Sequence, residues 1–328
     1  MPVGASMVER SGGGFEGVGE QRGSGMDFVF HIGCHKCAST ALQRLFRESG
    51  AVDYRFVSGS DPRRGKREVL DELESESPRF EWLRKELLKG FSGERPVVLS
   101  HEELSGDISG KANPDWRVVA GNLKELIPEA RILIVVRRQT DYIRSLYAFR
   151  VGIKGEETRS FGRFVSEEGA AGLFDKLDYS VLVKRHVELF GSERVFVLPM
   201  EWLSRDRKRF AAALSEAVGA DFAEDAFPAP SNASPKNASV LALCRFCNLL
   251  FSAVYAPIGW VFPYRVSSKF RFAYYASKRV LVPALARIVP GRGLDNPSVP
   301  DDVVSRWSAG NAELSRLFDL DLKDLGYP

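Results

Sequence analysis

A strand-to-helix link at residues 31–40, with the sequence HIGCHKCAST, holds the residue types best suited to chemistry. The apolar run before it, residues 28–30, is typical of a buried strand, and the apolar spacing at 41–46 is typical of a helix. Backbone N–H groups at the start of a helix have no intrahelical partner and favour an anion. Lys36 adds a full positive charge to them. The segment therefore predicts a phosphate-binding loop.

Two hydroxyl residues, Ser39 and Thr40, stand where this helix is expected to begin. Ser and Thr are preferred at the N-cap because the side-chain oxygen accepts a hydrogen bond from an unpaired N–H. We expect the pair to cap the helix and to offer hydroxyl donors to the anion.

A second motif follows the apolar run RILIVV at 131–136. Arg137 comes directly after this run, and Ser145 lies eight residues further on, about two helical turns away and on the same side of the helix as its start. A guanidinium and a hydroxyl can clamp a phosphate. The alternative is a solvated arginine and a serine that packs within a helix, and the residues alone leave both interpretations open.

The elements that position these motifs alternate between strands and helices. Such alternation indicates a mostly parallel sheet covered on both faces, an α/β fold. The first three strands end in polar or charged residues, which we expect to meet at one edge of the sheet. Strands are predicted at 28–33, 96–100, 131–136 and 194–199, and helices notably at 66–89, 116–127, 139–150, 179–190 and 205–218.

The domain organisation is predicted from composition along the 328 residues, whose net charge is +3. Residues 1–25 hold eight glycines and no apolar cluster, which predicts a disordered tail. Residues 26–328 are expected to form one domain. Helical patterns without clear strands predict a helical, basic cap at 226–328. No secretory signal is seen, so we expect a cytoplasmic protein.

Four cysteines form two C-x-x-C pairs, Cys34 with Cys37 and Cys244 with Cys247. This spacing suits a four-thiolate zinc site or a redox disulfide. The second pair, however, lies in a helix-like segment, and the first lies inside the proposed anion loop. We therefore expect small, buried, reduced thiols and no bound metal.

Taken together, the two motifs resemble the cofactor signatures of bacterial sulfotransferases, which use 3′-phosphoadenosine 5′-phosphosulfate (PAPS) and release adenosine 3′,5′-bisphosphate. The family often has Thr and Gly where Cys37 and Ala38 stand, and an alanine is expected to require a negative φ. The resemblance implies binding of the 5′-phosphosulfate by Lys36, Cys37, Ala38, Ser39 and Thr40, and binding of the 3′-phosphate by Arg137 and Ser145.

The resemblance extends from about residue 28 to the end of the chain. Residues 177–203, LDYSVLVKRHVELFGSERVFVLPMEWL, resemble the family's helix, Phe-Gly turn, strand and glutamate, and DLDLKDLGYP at 319–328 resembles the terminus of bacterial members. It implies a P-loop-like three-layer fold with a helical C-terminal cap. It also implies sulfuryl transfer without a metal, in which Lys36 stabilises the leaving phosphate.

Sulfuryl transfer needs a base, and the sequence SHEEL at 100–104 offers three candidates, His101, Glu102 and Glu103. The resemblance favours Glu102, because relatives carry Ser-x-Glu here. His101 is the second candidate, since its ordinary pKa is nearer neutrality. The alternative is a solvated acidic turn or a helix N-cap.

The segment SNASPKNAS at 231–239 contains Asn232, Ser234 and Lys236. These residues either contact the cofactor, as the resemblance suggests, or serve as turn and cap residues before a helix. We favour the structural interpretation.

Residues 227–294 hold nine basic and no acidic residues, with seven aromatics from Trp260 to Tyr275 interleaved. The bases either balance an acidic body or face an anionic partner. Nucleic acid is not expected, because no known reading motif is present. An anionic membrane at the inner face, or an anionic acceptor, fits better. Within this region, residues 249–264 are apolar but broken by prolines and glycine, and are expected to be buried or interfacial.

The function predicted is sulfuryl transfer from PAPS to a hydroxyl of a carbohydrate, glycolipid or small-molecule acceptor, with an amine as the less favoured acceptor. The Walker sequence G-x-x-x-x-G-K-[ST] is absent from the chain. A nucleotide-dependent kinase is therefore the second candidate, and a non-catalytic nucleotide-binding protein the third.

Overall fold

The fold is taken from a computed structural model. Outside the described residues lie the tail at 1–25, the trio Asn232, Ser234 and Lys236, and seven of the nine bases of 227–294. For residues 254–261 only the backbone is described. The described residues are 27–57, 68–106, 115–227, 237–261, 273–274, 281–282, 284–285, 288–289 and 291–328.

Five parallel strands form one sheet in the order β2-β3-β1-β4-β5. The predicted α/β fold with a parallel sheet is confirmed. The strands are β1 (Phe28–His31), β2 (Asp53–Phe56), β3 (Val97–Ser100), β4 (Arg131–Val136) and β5 (Val195–Pro199).

Helices connect the strands and follow the last one. In chain order they are α1 (Ser39–Glu48), α2 (Glu68–Leu73), α3 (Phe80–Leu88), α4 (Trp116–Leu126), α5 (Gln139–Phe149), α6 (Phe161–Glu168), α7 (Phe174–Lys176), α8 (Tyr179–Phe190), α9 (Trp202–Arg205), α10 (Arg207–Val218), α11 (Ala238–Val261) and α12 (Asp301–Phe318). Short 3₁₀ turns lie at 102–105 and 192–194, and π-helical turns lie at 150–154 and 169–173.

Both faces of the sheet are covered. Side chains alternate between the two faces along a strand, yet consecutive residues of β3 and β4, at 97–100 and 132–136, are all buried. Continuous apolar runs of this kind are typical of parallel strands under helices on both sides. The sheet is therefore the central layer of the fold.

The central position of β1 brings the two motifs together. His31 pairs with Ser100 of β3 on one side and with Leu133 of β4 on the other. The segments that follow β1, β3 and β4 therefore leave the same edge of the sheet side by side, as the sequence predicts.

Several predicted elements were wrong in detail. The helix predicted at 66–89 is two helices, α2 and α3, separated at 74–79, where Pro78 cannot donate a backbone hydrogen bond. The edge strand β2 was missed because it is only four residues long, Asp53–Phe56, and alternates charged with aromatic residues instead of forming a continuous apolar run. The helix predicted at 205–218 begins at 207, since Asp206 caps it by accepting a hydrogen bond from the Arg209 N–H.

The C-terminal part packs helices and a final loop against this core. Asn248 of α11 donates hydrogen bonds to the carbonyl oxygens of Val151 and Glu157, at 3.1 and 2.8 Å. After β5, the only β pairing in the described residues is an isolated bridge between Asn237 and Gly293.

In the part of the chain that the structure describes, we find no helix that is both long and apolar enough to cross a membrane.

Candidate active site

The loop after β1 bends through two left-handed residues. Lys36 has φ 64° and Ala38 has φ 62°, and the Cys37 N–H closes a turn on the Cys34 carbonyl oxygen at 3.2 Å. The expectation that Ala38 requires a negative φ was wrong, because the loop holds it in the left-handed region at a cost of about 1–2 kcal/mol. This conformation turns the chain directly into α1.

Ser39 does not cap α1 as expected. Ala38 occupies the N-cap position without a side-chain cap. Ser39 is the first helical residue, and its buried hydroxyl donates to the Cys34 carbonyl oxygen at 3.3 Å. Thr40 is exposed. The first N–H groups of α1 have no intrahelical acceptor, so this helix start retains the donors that suit an anion.

The cysteines are free thiols, and three of them, Cys34, Cys37 and Cys244, are buried. A hydrogen bond from Cys37 lowers the pKa of the Cys34 thiol, and burial raises the pKa of the Cys37 thiol. With its side chain buried, Cys37 offers an anion only its backbone. Among the described residues, no group of three or more His, Cys, Asp or Glu side chains could hold a metal ion.

The Lys36 ammonium lies at the mouth of the loop. Its Nζ atom is 4.3 Å from the ring centroid of Phe149, the last residue of α5. Burial, and then repulsion by the neighbouring Arg137, lower the pKa of Lys36 from its ordinary 10.5 to about 8. An anion bound beside Lys36 would relieve that repulsion.

Arg137 connects the second motif to the first. Its Nη1 donates to the carbonyl oxygen of Lys36 at 2.9 Å, and its own carbonyl oxygen accepts a hydrogen bond from the buried Tyr179 hydroxyl at 2.8 Å. Within the described part of the chain, neither Lys36 nor Arg137 forms an ion pair with a carboxylate. Two uncompensated cations therefore stand together at the carboxyl edge of the sheet.

Ser145 lies on α5, as the spacing of the second motif predicts. It precedes Phe149 by four residues, and residues four apart share a helix face. Phe149 contacts Lys36. Ser145 is thus on the side of α5 that faces the loop, where it is partly exposed.

A second polar cluster surrounds Glu102 at the end of β3. Gln43 of α1 donates to Glu102 Oε2 at 3.1 Å, and His35 Nδ1 lies 3.8 Å from Glu102 Oε1. Burial acts to raise the pKa of Glu102. The neighbouring imidazoles of His101 and His35 and the hydrogen bonds outweigh it, so the pKa stays below the usual range. Glu102 is therefore a carboxylate at neutral pH.

His101 has a structural position at the start of the 3₁₀ turn. Its Nδ1 accepts a hydrogen bond from the Glu103 N–H at 3.0 Å, and its ring lies 4.6 Å from that of Phe56. A neutral imidazole has one acceptor nitrogen, so this bond places the proton on Nε2. The basic lone pair of His101 is thus already engaged.

A buried pair underlies the Glu102 cluster. His31 Nδ1 is 2.8 Å from the Ser100 hydroxyl, which also accepts a hydrogen bond from Gln43 at 3.3 Å. Burial lowers the pKa of His31 to about 4, so its ring is neutral. A Cβ at Gly33 would lie 2.6 Å from His31 Nε2, so the close approach of this ring requires glycine there.

Several site residues were missed by the sequence analysis: Gln43, His35, Phe149 and Tyr179. Gln43 carried one available signal, since it lies four residues after Ser39 and thus on the same face of α1. His35 also carried a signal, since it lies next to Lys36 inside the loop itself. Phe149 and Tyr179 belong to segments whose approach to the loop depends on the packing of the sheet, so nothing in their local sequence marks them.

No family model matches the chain, and no curated protein matches it in sequence. Among solved structures, it is similar to a sulfotransferase from Alicyclobacillus acidocaldarius, with 20% identity, a TM-score of 0.45, and coverage of 70% of this chain and 96% of that one.

Two further solved structures are similar to the chain. One is the sulfotransferase domain from the curacin biosynthetic pathway, with 12% identity, a TM-score of 0.38, and coverage of 63% of this chain and 77% of that one. The other is mouse sulfotransferase SULT7A1 complexed with PAP, with 14% identity, a TM-score of 0.39, and coverage of 68% of this chain and 66% of that one.

Proposed function

We propose that the chain is a sulfotransferase that moves a sulfuryl group from PAPS to a hydroxyl, or less favourably an amine, of a carbohydrate, glycolipid or small-molecule acceptor. The observation that carries the proposal is the pair of uncompensated cations, Lys36 and Arg137, held together at a helix start. A nucleotide with phosphates at both its 5′ and 3′ positions presents two anionic groups to such a pair.

PAPS would supply the sulfuryl group and its phosphate leaving group. The chain's part is to position the reactants and to stabilise charge. Lys36 faces the charge that grows on the leaving phosphate oxygen as the sulfur–oxygen bond breaks. Arg137 and Ser145 hold the 3′-phosphate, and the first N–H groups of α1, with Thr40, hold the 5′-phosphate.

Glu102 is the proposed base. It accepts the proton of the acceptor hydroxyl as the oxygen bonds to sulfur. Three features support this choice over His101: Glu102 is ionised, its Oε2 is oriented by Gln43, and the His101 Nδ1 is occupied by the Glu103 N–H. The alternative of a helix N-cap, which the sequence left open for this segment, applies to His101, because His101 caps the 3₁₀ turn at 102–105.

Ligand binding tests the cofactor directly. We expect calorimetry to show tight binding of adenosine 3′,5′-bisphosphate and weak binding of adenosine 5′-monophosphate. Arg137→Ala should reduce the difference in affinity between the two ligands, because it removes a charge-assisted contact with the 3′-phosphate worth roughly 1.5–3 kcal/mol. Arg131→Ala, at the opposite end of β4, is the control and should leave this difference in affinity unchanged. Equal affinities of the two ligands in the natural protein would refute the proposal.

Turnover tests the reaction. Labelled PAPS incubated with glycolipid, glycan and metabolite fractions should yield a sulfated product, identified by mass. Lys36→Ala should lower turnover by orders of magnitude. Glu102→Gln should keep nucleotide binding and lose about 10²–10⁴-fold in rate. Magnesium-dependent ATP turnover without any response to PAPS would instead support a kinase.

A further inference from the structure

Helix α11 is apolar on two opposite faces. Its inner face packs on the protein through Val240, Leu241, Cys244 and Asn248, all of which are buried. With about 100° of rotation per residue, Leu243, Phe246 and Leu250 lie on the opposite side. They are 44%, 56% and 51% exposed. We call these three residues, together with the exposed Leu249, the outer face of α11.

The outer face is unusually apolar for a helix surface that is exposed to water. A helix on a protein surface normally carries polar residues on the side away from the core. Here the 24 residues of α11 include one charged residue, Arg245, and no acidic one. Four large apolar side chains side by side form a contiguous patch of the kind that marks an interaction site.

The charge of the surrounding sequence restricts what can cover this face. Residues 237–294 contain eight basic residues and no acidic residue. A second copy of the chain would bring two such segments together, and like charges oppose that association. An anionic lipid bilayer offers both an apolar interior and negative headgroups.

We propose that the outer face of α11 docks on an anionic membrane surface, with Leu243, Phe246, Leu249 and Leu250 entering the headgroup region. The net positive charge of the sequence 237–294 favours the negative headgroups. Two more exposed apolar residues of the same stretch, Leu281 and Ile288, are 56% and 77% exposed and are consistent with this docking. The proposal does not rest on sulfuryl transfer.

Vesicle co-sedimentation of the full chain tests the proposal. We expect binding to phosphatidylcholine vesicles that contain phosphatidylglycerol, weaker binding at high salt, and little binding to phosphatidylcholine alone. The double variant Phe246→Ser, Leu250→Ser should lose about tenfold or more in partitioning, since each side chain buries an apolar surface worth well over a tenfold change. Val181→Ser with Leu317→Ser, exposed apolar residues on α8 and α12, is the matched control and should bind normally.

A second variant changes charge and leaves the apolar residues intact, so the test does not depend on correct folding of the Phe246→Ser, Leu250→Ser variant. Lys269→Glu with Arg271→Glu should weaken binding to the anionic vesicles about tenfold or more, because each base near an anionic surface contributes on the order of 1 kcal/mol. Absence of binding to both vesicle types would overturn the proposal. So would a natural protein that is a dimer in solution and becomes a monomer in the Phe246→Ser, Leu250→Ser variant, because a second copy would then cover the face.

Discussion

At the residue scale, the charge state of Lys36 controls the candidate site. Its pKa, lowered to about 8 by burial and by Arg137, means that the free protein loses this cation as the pH rises through 8. The unfolded chain keeps the proton up to its ordinary pKa, so this group makes the free fold relatively more stable as the pH rises from 8 toward 10.5. A bound phosphate instead favours the protonated, positively charged form of Lys36.

We therefore expect the affinity for adenosine 3′,5′-bisphosphate to be nearly constant between about pH 7 and 8, where its phosphates are fully ionised, and to fall by up to about tenfold per pH unit above pH 8. Isothermal calorimetry on both sides of pH 8 measures this. Lys36→Arg is the control, because arginine stays protonated throughout and should flatten the decline. An affinity that falls equally in both proteins would place the titrating group elsewhere.

Gln43 determines the environment of Glu102 through one hydrogen bond. Gln43→Met keeps the length of the side chain and removes the donor, so the pKa of Glu102 should rise and stability should fall by about 1 kcal/mol. Carbon-labelled NMR titration of the glutamates reads the pKa without any substrate. Arg44→Met, on the neighbouring exposed position, should leave that titration unchanged. An unaltered Glu102 titration in Gln43→Met would contradict the orienting role.

At the scale of elements, the junction between β1 and α1 holds its shape at a cost. Ala38 is left-handed without being glycine, which costs about 1–2 kcal/mol. Ala38→Gly removes the strain and adds about 0.5–1 kcal/mol of unfolded-state entropy. We expect a net gain of about 0.5–1 kcal/mol in the free energy of unfolding, measured by urea denaturation.

The matched control lies three residues further on. Ala41→Gly, inside α1, should lose about 1 kcal/mol, because glycine lowers helix stability there. Losses of equal size in both variants would mean that Ala38 is not strained. The same junction explains why Ser39 is no cap: the turn ends one residue before it, and its hydroxyl instead closes the loop onto Cys34.

At the scale of the whole molecule, the chain's last residues are tied to the edge of the sheet. The Tyr327 hydroxyl donates to Glu201 Oε2 at 2.7 Å, while Glu201 Oε1 accepts from the Arg138 N–H at 3.0 Å. Tyr327 is buried, so this link joins the end of the chain to the segments that follow β4 and β5. It fixes the residue next to Arg137.

Tyr327→Phe should lower the free energy of unfolding by roughly 1.5–3 kcal/mol, since it removes the charge-assisted hydrogen bond to Glu201 Oε2. Chemical denaturation measures the loss. Tyr179→Phe, whose buried hydroxyl donates to the neutral carbonyl oxygen of Arg137, should lose only about 0.5–1.5 kcal/mol. A smaller loss for Tyr327→Phe than for Tyr179→Phe would show that the link does not stabilise the fold.

Local sequence was sufficient for most elements of this fold. The apolar runs of β1, β3, β4 and β5 and the spacing of α4, α5 and α8 predicted their positions closely, because buried strands and amphipathic helices impose short-range patterns. The edge strand β2 alternates charged and aromatic residues over only four positions, too short a pattern to stand out, and the break at Pro78 was hidden within a continuous helical spacing. Lys36 and Arg137 were likewise singled out from their positions after apolar runs, whereas Glu102 was chosen among the residues after β3 by the family resemblance, and the roles of all three stay predictions.

What only the tertiary structure decided is how these residues meet. The order β3-β1-β4 sets Arg137 against the Lys36 carbonyl, and the packing of α1 over β3 sets Gln43 against Glu102. These contacts span 101 and 59 residues of sequence. No local pattern encodes them, because strand order and helix packing are selected by the burial of the whole core, in which each segment's side chains are one part.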